Sequence, residues 1–248
     1  MSASSSGRGQ GFTGASRITK VCENGDIILA VGSKAKIQVA SDFLKHISPV
    51  FEKMLDAPRS GEKALRNISS GSQVTIALPD DQPAAMERLL KILYGADHMR
   101  LDFFQVYTII LLADKYGMTD RLDYFSESWM REKMKNDDEH NWWHALVIAY
   151  MCNNQEYFAE VSGKLSKRKG SMAMWALTTP DRELSFKLAL AIWELRGENK
   201  VRKSLGLSKK LLCLECFRDA EDSFTSKQWR CESDSYHEDE GYSQDVKG

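Results

Sequence analysis

The sequence predicts an α+β fold: a three-stranded sheet carrying helical hairpins, followed by an all-α extension. Three observations predict it. Two short apolar stretches between Asp26 and Val39 are separated by Gly32-Ser33, the patterning of a hairpin. From Phe43 the spacing of apolar residues lengthens from two to three or four, the period of helices. Beyond Asn136 that helical spacing continues to Leu195.

Ile27 to Val31 form the first strand. Ile37 and Val39 stand two apart among Lys36 and Gln38, so a second strand pairs back with one face buried. Ser41-Asp42 offers cap chemistry for a helix with Phe43, Leu44 and Ile47 on its apolar side. At Ser48-Pro49 the chain turns, and Pro49 can open a second helix at the position where no amide donor is required. That helix carries Val50, Phe51, Met54 and Leu55. The stretch from Ala57 to Gly71 is polar and reads as a loop. Gln73 to Leu78 alternates as a third strand and ends at Pro79-Asp80-Asp81, whose acids have turn and cap roles. Pro83 to Tyr94 is helical, with Met86, Leu89, Leu90, Leu93 and Tyr94 on one stripe, and closes at Gly95. Val106 to Met118 and Leu122 to Met130 form a two-helix hairpin.

The Gly25–Leu55 segment, the Tyr94-Gly95 helix end and the string Leu111-Leu112-Ala113-Asp114-Lys115-Tyr116-Gly117-Met118 resemble a BTB/POZ domain, from roughly Ile18 to Met134. The resemblance implies a protein–protein interaction fold with no catalytic group. It places partner contacts on Phe51, Met54, Leu55 and Glu62, and puts Asp26 near a charged groove that recruits peptides. Many members carry a His where this chain has Ala40, so the groove is expected to be weaker here. Cullin-binding members often place an apolar residue two before a Glu, and here Ser60 precedes Glu62. With little before Asp26 beyond Ile18 to Val21, the chain resembles the short form of the family. Its helical extension gives it a likeness to members found in fungi.

In the second half, Asn136 to Glu139 supply a cap and early acids. Trp142, Trp143, Leu146, Ala149 and Tyr150 form one stripe, and Tyr157, Phe158, Val161 and Leu165 another. Met172 to Leu177 is a short run. Asp181 opens a helix with Leu184, Leu188, Ala191, Ile192 and Leu195 at core spacing. The expected organisation is a flexible arm over 1–17, the BTB/POZ-like domain over 18–136, a helical extension over 137–205 and a Cys/His-containing tail over 206–248. In the family such extensions commonly brace a scaffold that binds a cullin-type ubiquitin ligase.

A net charge of −1 gives the chain no global attraction for nucleic acid or anionic membrane. No window approaches the roughly 18 apolar residues of a membrane span. The polar, Gly/Ser-rich N-terminus has no secretory h-region, and five cysteines, an odd number, fit a reducing compartment. An intracellular protein is expected.

The candidate metal site is Cys213-x2-Cys216 followed by Cys231 and His237. A C-x2-C pair supplies two zinc ligands from one turn, and a structural zinc would give folding energy to a tail without a core of its own. The competing reading is two buried thiols among Leu211, Leu212 and Leu214. His140 and His144 lie four apart on a helix, but Asn141 stands where a metalloprotease has its Glu. Cys152 follows an apolar helix face with no nearby base and reads as packing. No enzyme is predicted. The partners expected are other proteins, among them a cullin or a second copy of the chain. A nuclear regulator touching nucleic acid through the basic stretch from Lys200 to Lys210 is the third reading.

Overall fold

Strand β2 (Ile27–Val31) pairs antiparallel with β3 (Ala35–Val39), Ile27 opposite Val39 and Val31 opposite Ala35. Gly32 lies between them at φ +57°, a backbone region that favours glycine. Gly25, at the base of this hairpin, is required for a different reason. A Cβ there would lie 2.7 Å from the carbonyl carbon and oxygen of Val39. Strand β4 (Val74–Leu78) runs parallel to β2, with Ile27 opposite Val74 and Val31 opposite Leu78. A fourth strand, β1 (Ile18–Lys20), runs parallel to β3 and completes a mixed sheet of order β1-β3-β2-β4. Ile27, Ile28, Leu29 and Val31 of central β2 are all buried. Such a strand reads as a continuous apolar run because both of its faces are covered.

The computed structural model describes residues 18–33, 35–57, 73–96 and 100–225. The chain falls into two compact units, Met1–Ala96 with Leu111–Met118 and Asp97–Ile110 with Thr119–Gly248.

In the first unit, α1 (Ser41–Ile47) and α2 (Pro49–Asp56) form the first helical hairpin. Pro49 opens α2, as its missing donor allows. The Ser48 hydroxyl accepts from the Phe51 amide at 3.0 Å and donates to the Tyr116 carbonyl at 2.6 Å. One side chain therefore caps α2 and ties it to a residue 68 positions away. The expected cap of α1 is corrected: Ala40 holds the cap position, and Ser41 is the first helical residue. Helix α3 (Pro83–Leu93) buries Met86, Leu89 and Leu90 and ends at Gly95, φ +90°. Helix α4 (Phe103–Lys115) belongs to the second unit as far as Ile110 and to the first from Leu111.

After a 3-10 turn at Thr119–Leu122, the second unit continues as α5 (Asp123–Met134), α6 (Glu139–Met151), α7 (Gln155–Ser166), α8 (Met172–Ala176), α9 (Arg182–Ser204) and α10 (Leu214–Arg218). Asp138, Asn154 and Asp181 cap α6, α7 and α9 through their side chains. Helix α6 packs against both α5 and α7, and every residue from Trp142 to Ala149 is buried. The single stripe expected there is thus a helix apolar all round, the pattern of a core helix. The Trp143 indole N–H, taken out of water, donates to Thr179 Oγ1 at 2.8 Å. Helix α9 packs on α7 and α8 through Leu188, Ala191, Ile192 and Leu195, the face its periodicity predicts.

Leu212, Cys213, Leu214, Cys216 and Phe217 are buried. The Leu214 amide donates to Gln155 Oε1 at 2.7 Å, and the Phe217 and Phe158 ring centroids stand 5.3 Å apart. This stretch lies in the core of the second unit, so it draws its folding energy from shared apolar contacts.

Candidate functional site

Three of the partner-contact candidates sit on one turn of α2, and they face different ways. Phe51 has no solvent exposure and stacks on Tyr116, ring centroids 4.5 Å apart and planes parallel. Leu55 is also buried. Met54 is half-buried and lines a cleft of about 450 Å³ with Leu55, Ala57 and the Val74–Ala77 stretch of edge strand β4. Of the three, Met54 has the surface to meet a partner without displacing the core. Glu62, Cys231 and His237 lie outside the described residues.

Asp26 stands at the mouth of β2, and both of its carboxylate oxygens bind Ser41. Oδ1 accepts from the Ser41 amide at 2.7 Å and Oδ2 from its hydroxyl at 2.6 Å. The residue just before β2 thereby supplies the cap that Ala40 cannot give α1. Tyr94 covers the same corner, its ring 3.9 Å from that of Phe43 and its hydroxyl accepting from the Ala40 amide at 3.4 Å.

Asp81 closes the expected turn, its amide donating to the Leu78 carbonyl at 3.4 Å, but it does not cap the helix that follows. It is buried and accepts hydrogen bonds from Lys115 Nζ and the Tyr116 hydroxyl. Gln82, and not an acid, holds the cap position of α3. Burial, reinforced by the Asp81 carboxylate, pushes the Tyr116 phenol well above the usual tyrosine range. The phenol stays a donor, as a buried carboxylate needs.

His144 stacks on Phe103 with ring centroids 3.8 Å apart, and the His140 ring centroid is 4.2 Å away. Burial, with His140 and Lys133 nearby, lowers the His144 imidazole to about 3. Burial also pushes the Cys152 thiol up to about 12, so it is protonated at neutral pH and not poised as a nucleophile. Cys213 occupies the position before α10 without a side-chain cap bond and Cys216 lies within the helix, both buried. Among the described residues, no three His, Cys, Asp or Glu side chains are grouped to hold a metal ion. No helix among them is long and apolar enough to cross a membrane.

The second unit presents a surface that the sequence reading did not identify. On α9, Phe186, Leu190, Trp193 and Val201 are exposed at 44%, 58%, 71% and 58%. Their spacing, with Gly197 between Trp193 and Val201, runs four, three, four and four residues and makes a stripe opposite the buried Leu188–Leu195 face. A Cβ at Gly197 would meet nothing within 4 Å. The signal was available, because α9 has apolar residues at helical spacing on two faces and only one can meet its own core.

The first unit thus combines a mixed sheet with two short helices and the longer α3. A family model for the BTB/POZ domain matches residues 19–129, and the chain carries a BTB/POZ domain over that span. This is a protein–protein interaction domain. Comparison with curated proteins gives no match.

Proposed function

We propose that the chain is a non-enzymatic scaffold that brings proteins together through its BTB/POZ domain and through the outer face of α9. The observation that carries this reading is the stripe of Phe186, Leu190 and Trp193. Large apolar side chains held in a row on a rigid helix supply anchors of the kind that dominate interface energetics, Trp above all. The occupant with matching chemistry is another apolar helix face, laid into the stripe at i, i+4, i+7. A second copy of the chain offers one in any solution of the protein, so self-association is the first test. Sedimentation equilibrium of the full chain should show a dimer weakened about tenfold or more by Leu190→Glu with Trp193→Glu, on the order of 1.4 kcal/mol. A chain that stays monomeric across micromolar concentrations would sink the assignment of a second copy to this stripe.

The finer reading is a substrate adaptor for a cullin-type ubiquitin ligase. It is supported by a BTB/POZ domain followed by a helical unit, and by Met54 at the rim of the α2–β4 cleft. Pull-down against a cullin N-terminal fragment tests it, with Met54→Asp and Glu62→Ala as variants. Leu55→Asp is unsuitable, since Leu55 is core. Binding lost in the variants supports the adaptor reading, and no binding at micromolar concentration leaves the scaffold alone. A structural zinc on Cys213, Cys216, Cys231 and His237 is a separate proposal. Metal analysis of the purified chain tests it, with loss of one equivalent of zinc in Cys231→Ser as the expected result.

A further inference from the structure

The C-terminal end of α7 and the last turns of α9 enclose a cleft of about 570 Å³ lined by Ser166, Lys167, Arg168, Lys169, Arg196, Asn199, Lys200, Lys203 and Lys209. Seven of the nine are cationic and none is acidic, in a chain whose net charge is −1. The positive charge is therefore local. Arg196, Asn199, Lys200 and Lys203 recur three and four apart, so one face of α9 brings them together.

Part of this charge has a structural use. Arg168 pairs with Asp137 and Glu139, and Arg196 donates to the Gly170 carbonyl at 3.2 Å, which ties the end of α7 to α9. The Arg196 Nε–H is nonetheless buried with no acceptor. Among the described residues, Lys167, Lys169, Lys200, Lys203 and Lys209 have no carboxylate within ion-pair distance. Like charges converging on one concavity repel, and an anion carrying several charges relieves all of them at once.

We propose that this cleft is a binding site for a small, multiply phosphorylated anion. Its volume is in the range of small-molecule sites, about 300–1,000 Å³. Lysine ammonium groups bind phosphoryl oxygens as mobile point charges. One phosphate can neutralise only two of the five lysines, so the ligand that fits carries several. Nucleic acid is the less favoured occupant. No aromatic side chain lines the cleft to stack a base, and its cations converge on a pocket instead of following an extended backbone.

The test is calorimetric titration of the full chain with inositol hexakisphosphate at physiological salt. Saturable binding of one anion per chain is expected. Lys200→Gln with Lys203→Gln should weaken it roughly tenfold, and Lys167→Gln with Lys169→Gln similarly. Lys36→Gln with Lys53→Gln, exposed lysines of the first unit, should leave it unchanged. Equal weakening in that control pair would mean general charge attraction and overturn the site. So would a duplex oligonucleotide that binds more tightly than the polyphosphate and is lost in the same cleft variants. Co-sedimentation with vesicles carrying a phosphoinositide identifies the source of the phosphates. Binding there assigns a lipid headgroup, and its absence a free polyphosphate, each with the cleft variants reducing it.

Discussion

The Asp26 carboxylate holds Ser41 by its amide and its hydroxyl together, at 2.7 and 2.6 Å, and so caps a helix from a position fifteen residues earlier, just before β2. Because Ala40 offers the α1 terminus no side-chain acceptor, the cap rests on Asp26. Asp26→Ala should cost about 1–2 kcal/mol, the usual value of a lost cap. Ser41→Ala should cost less, since the amide bond remains. Urea unfolding of the two variants checks the order, and a larger loss for Ser41→Ala would remove Asp26 from this role.

Asp81 and Tyr116 form the second such relationship, across 35 residues. Tyr116→Phe removes the donor and should cost about 1.5–3 kcal/mol, the range for hydrogen bonds to charged groups. Asp81→Leu should cost at least as much, because it leaves the buried Tyr116 hydroxyl without an acceptor. The double variant should be better tolerated than the sum of the singles, and a double-mutant cycle by chemical denaturation measures the difference. Strict additivity would show that the two side chains are not coupled.

Both relationships explain where sequence reading stopped. Strand β2 is legible as an unbroken apolar run, and β3, β4 and the helices through α9 by the period that burial imposes on adjacent residues. The α1 cap and the Asp81 network are not, since polar residues near a turn look alike whether their partner is local or far along the chain. β1 is only three residues long, and its parallel pairing with β3 leaves no alternation long enough to read. In α2, Phe51, Met54 and Leu55 are alike as apolar residues of one helical stretch, and the spacing does not reveal that Met54 alone of the three is partly exposed. The outer face of α9, opposite the one that meets the core, is spelled out at the same helical spacing, but spacing alone does not say which of the two faces is buried.

The two faces of α9 should separate by mutation. Leu188, with no exposure, should cost about 2–5 kcal/mol as Leu188→Ala, through lost transfer energy and the cavity left behind. Leu190, at 58% exposure, should change stability by no more than about 0.5 kcal/mol as Leu190→Ala. Thermal unfolding of both checks this. Comparable losses would mean that the outer stripe serves the fold.

His144 should make the second unit acid-sensitive. Its imidazole sits near 3 when folded against 6.5 ordinarily, so below about pH 6.5 the unfolded chain binds a proton that the folded chain refuses. Stability from this group is therefore full above that range and falls as pH drops toward 3, by up to about 1.4 kcal/mol per pH unit. Between pH 7 and 5.5, above the main carboxylate range, the loss should be on the order of 1 kcal/mol. His144→Phe, which keeps a ring against Phe103, should flatten the profile. An unchanged slope in that variant would show that other groups set it.

Glu194 should fasten the last described residues to α9. Its carboxylate accepts from the Ser223 hydroxyl, the Phe224 amide at 3.1 Å, and the Thr225 amide and hydroxyl at 3.2 and 2.6 Å. Burial works against ionisation here, but these hydrogen bonds outweigh it and hold the carboxyl below its ordinary value. The stabilisation is thus present above the ordinary glutamate range and is lost as pH falls through the lowered folded value. Glu194→Gln turns one acceptor into a donor facing donors. Amide exchange at Phe224 and Thr225 should accelerate about tenfold or more while that of Leu188 and Ile192 stays slow, because the opening is local. Protection lost equally across α9 would mean that Glu194 supports the helix itself, and unchanged protection at Phe224 and Thr225 would mean that the clasp does not hold this segment.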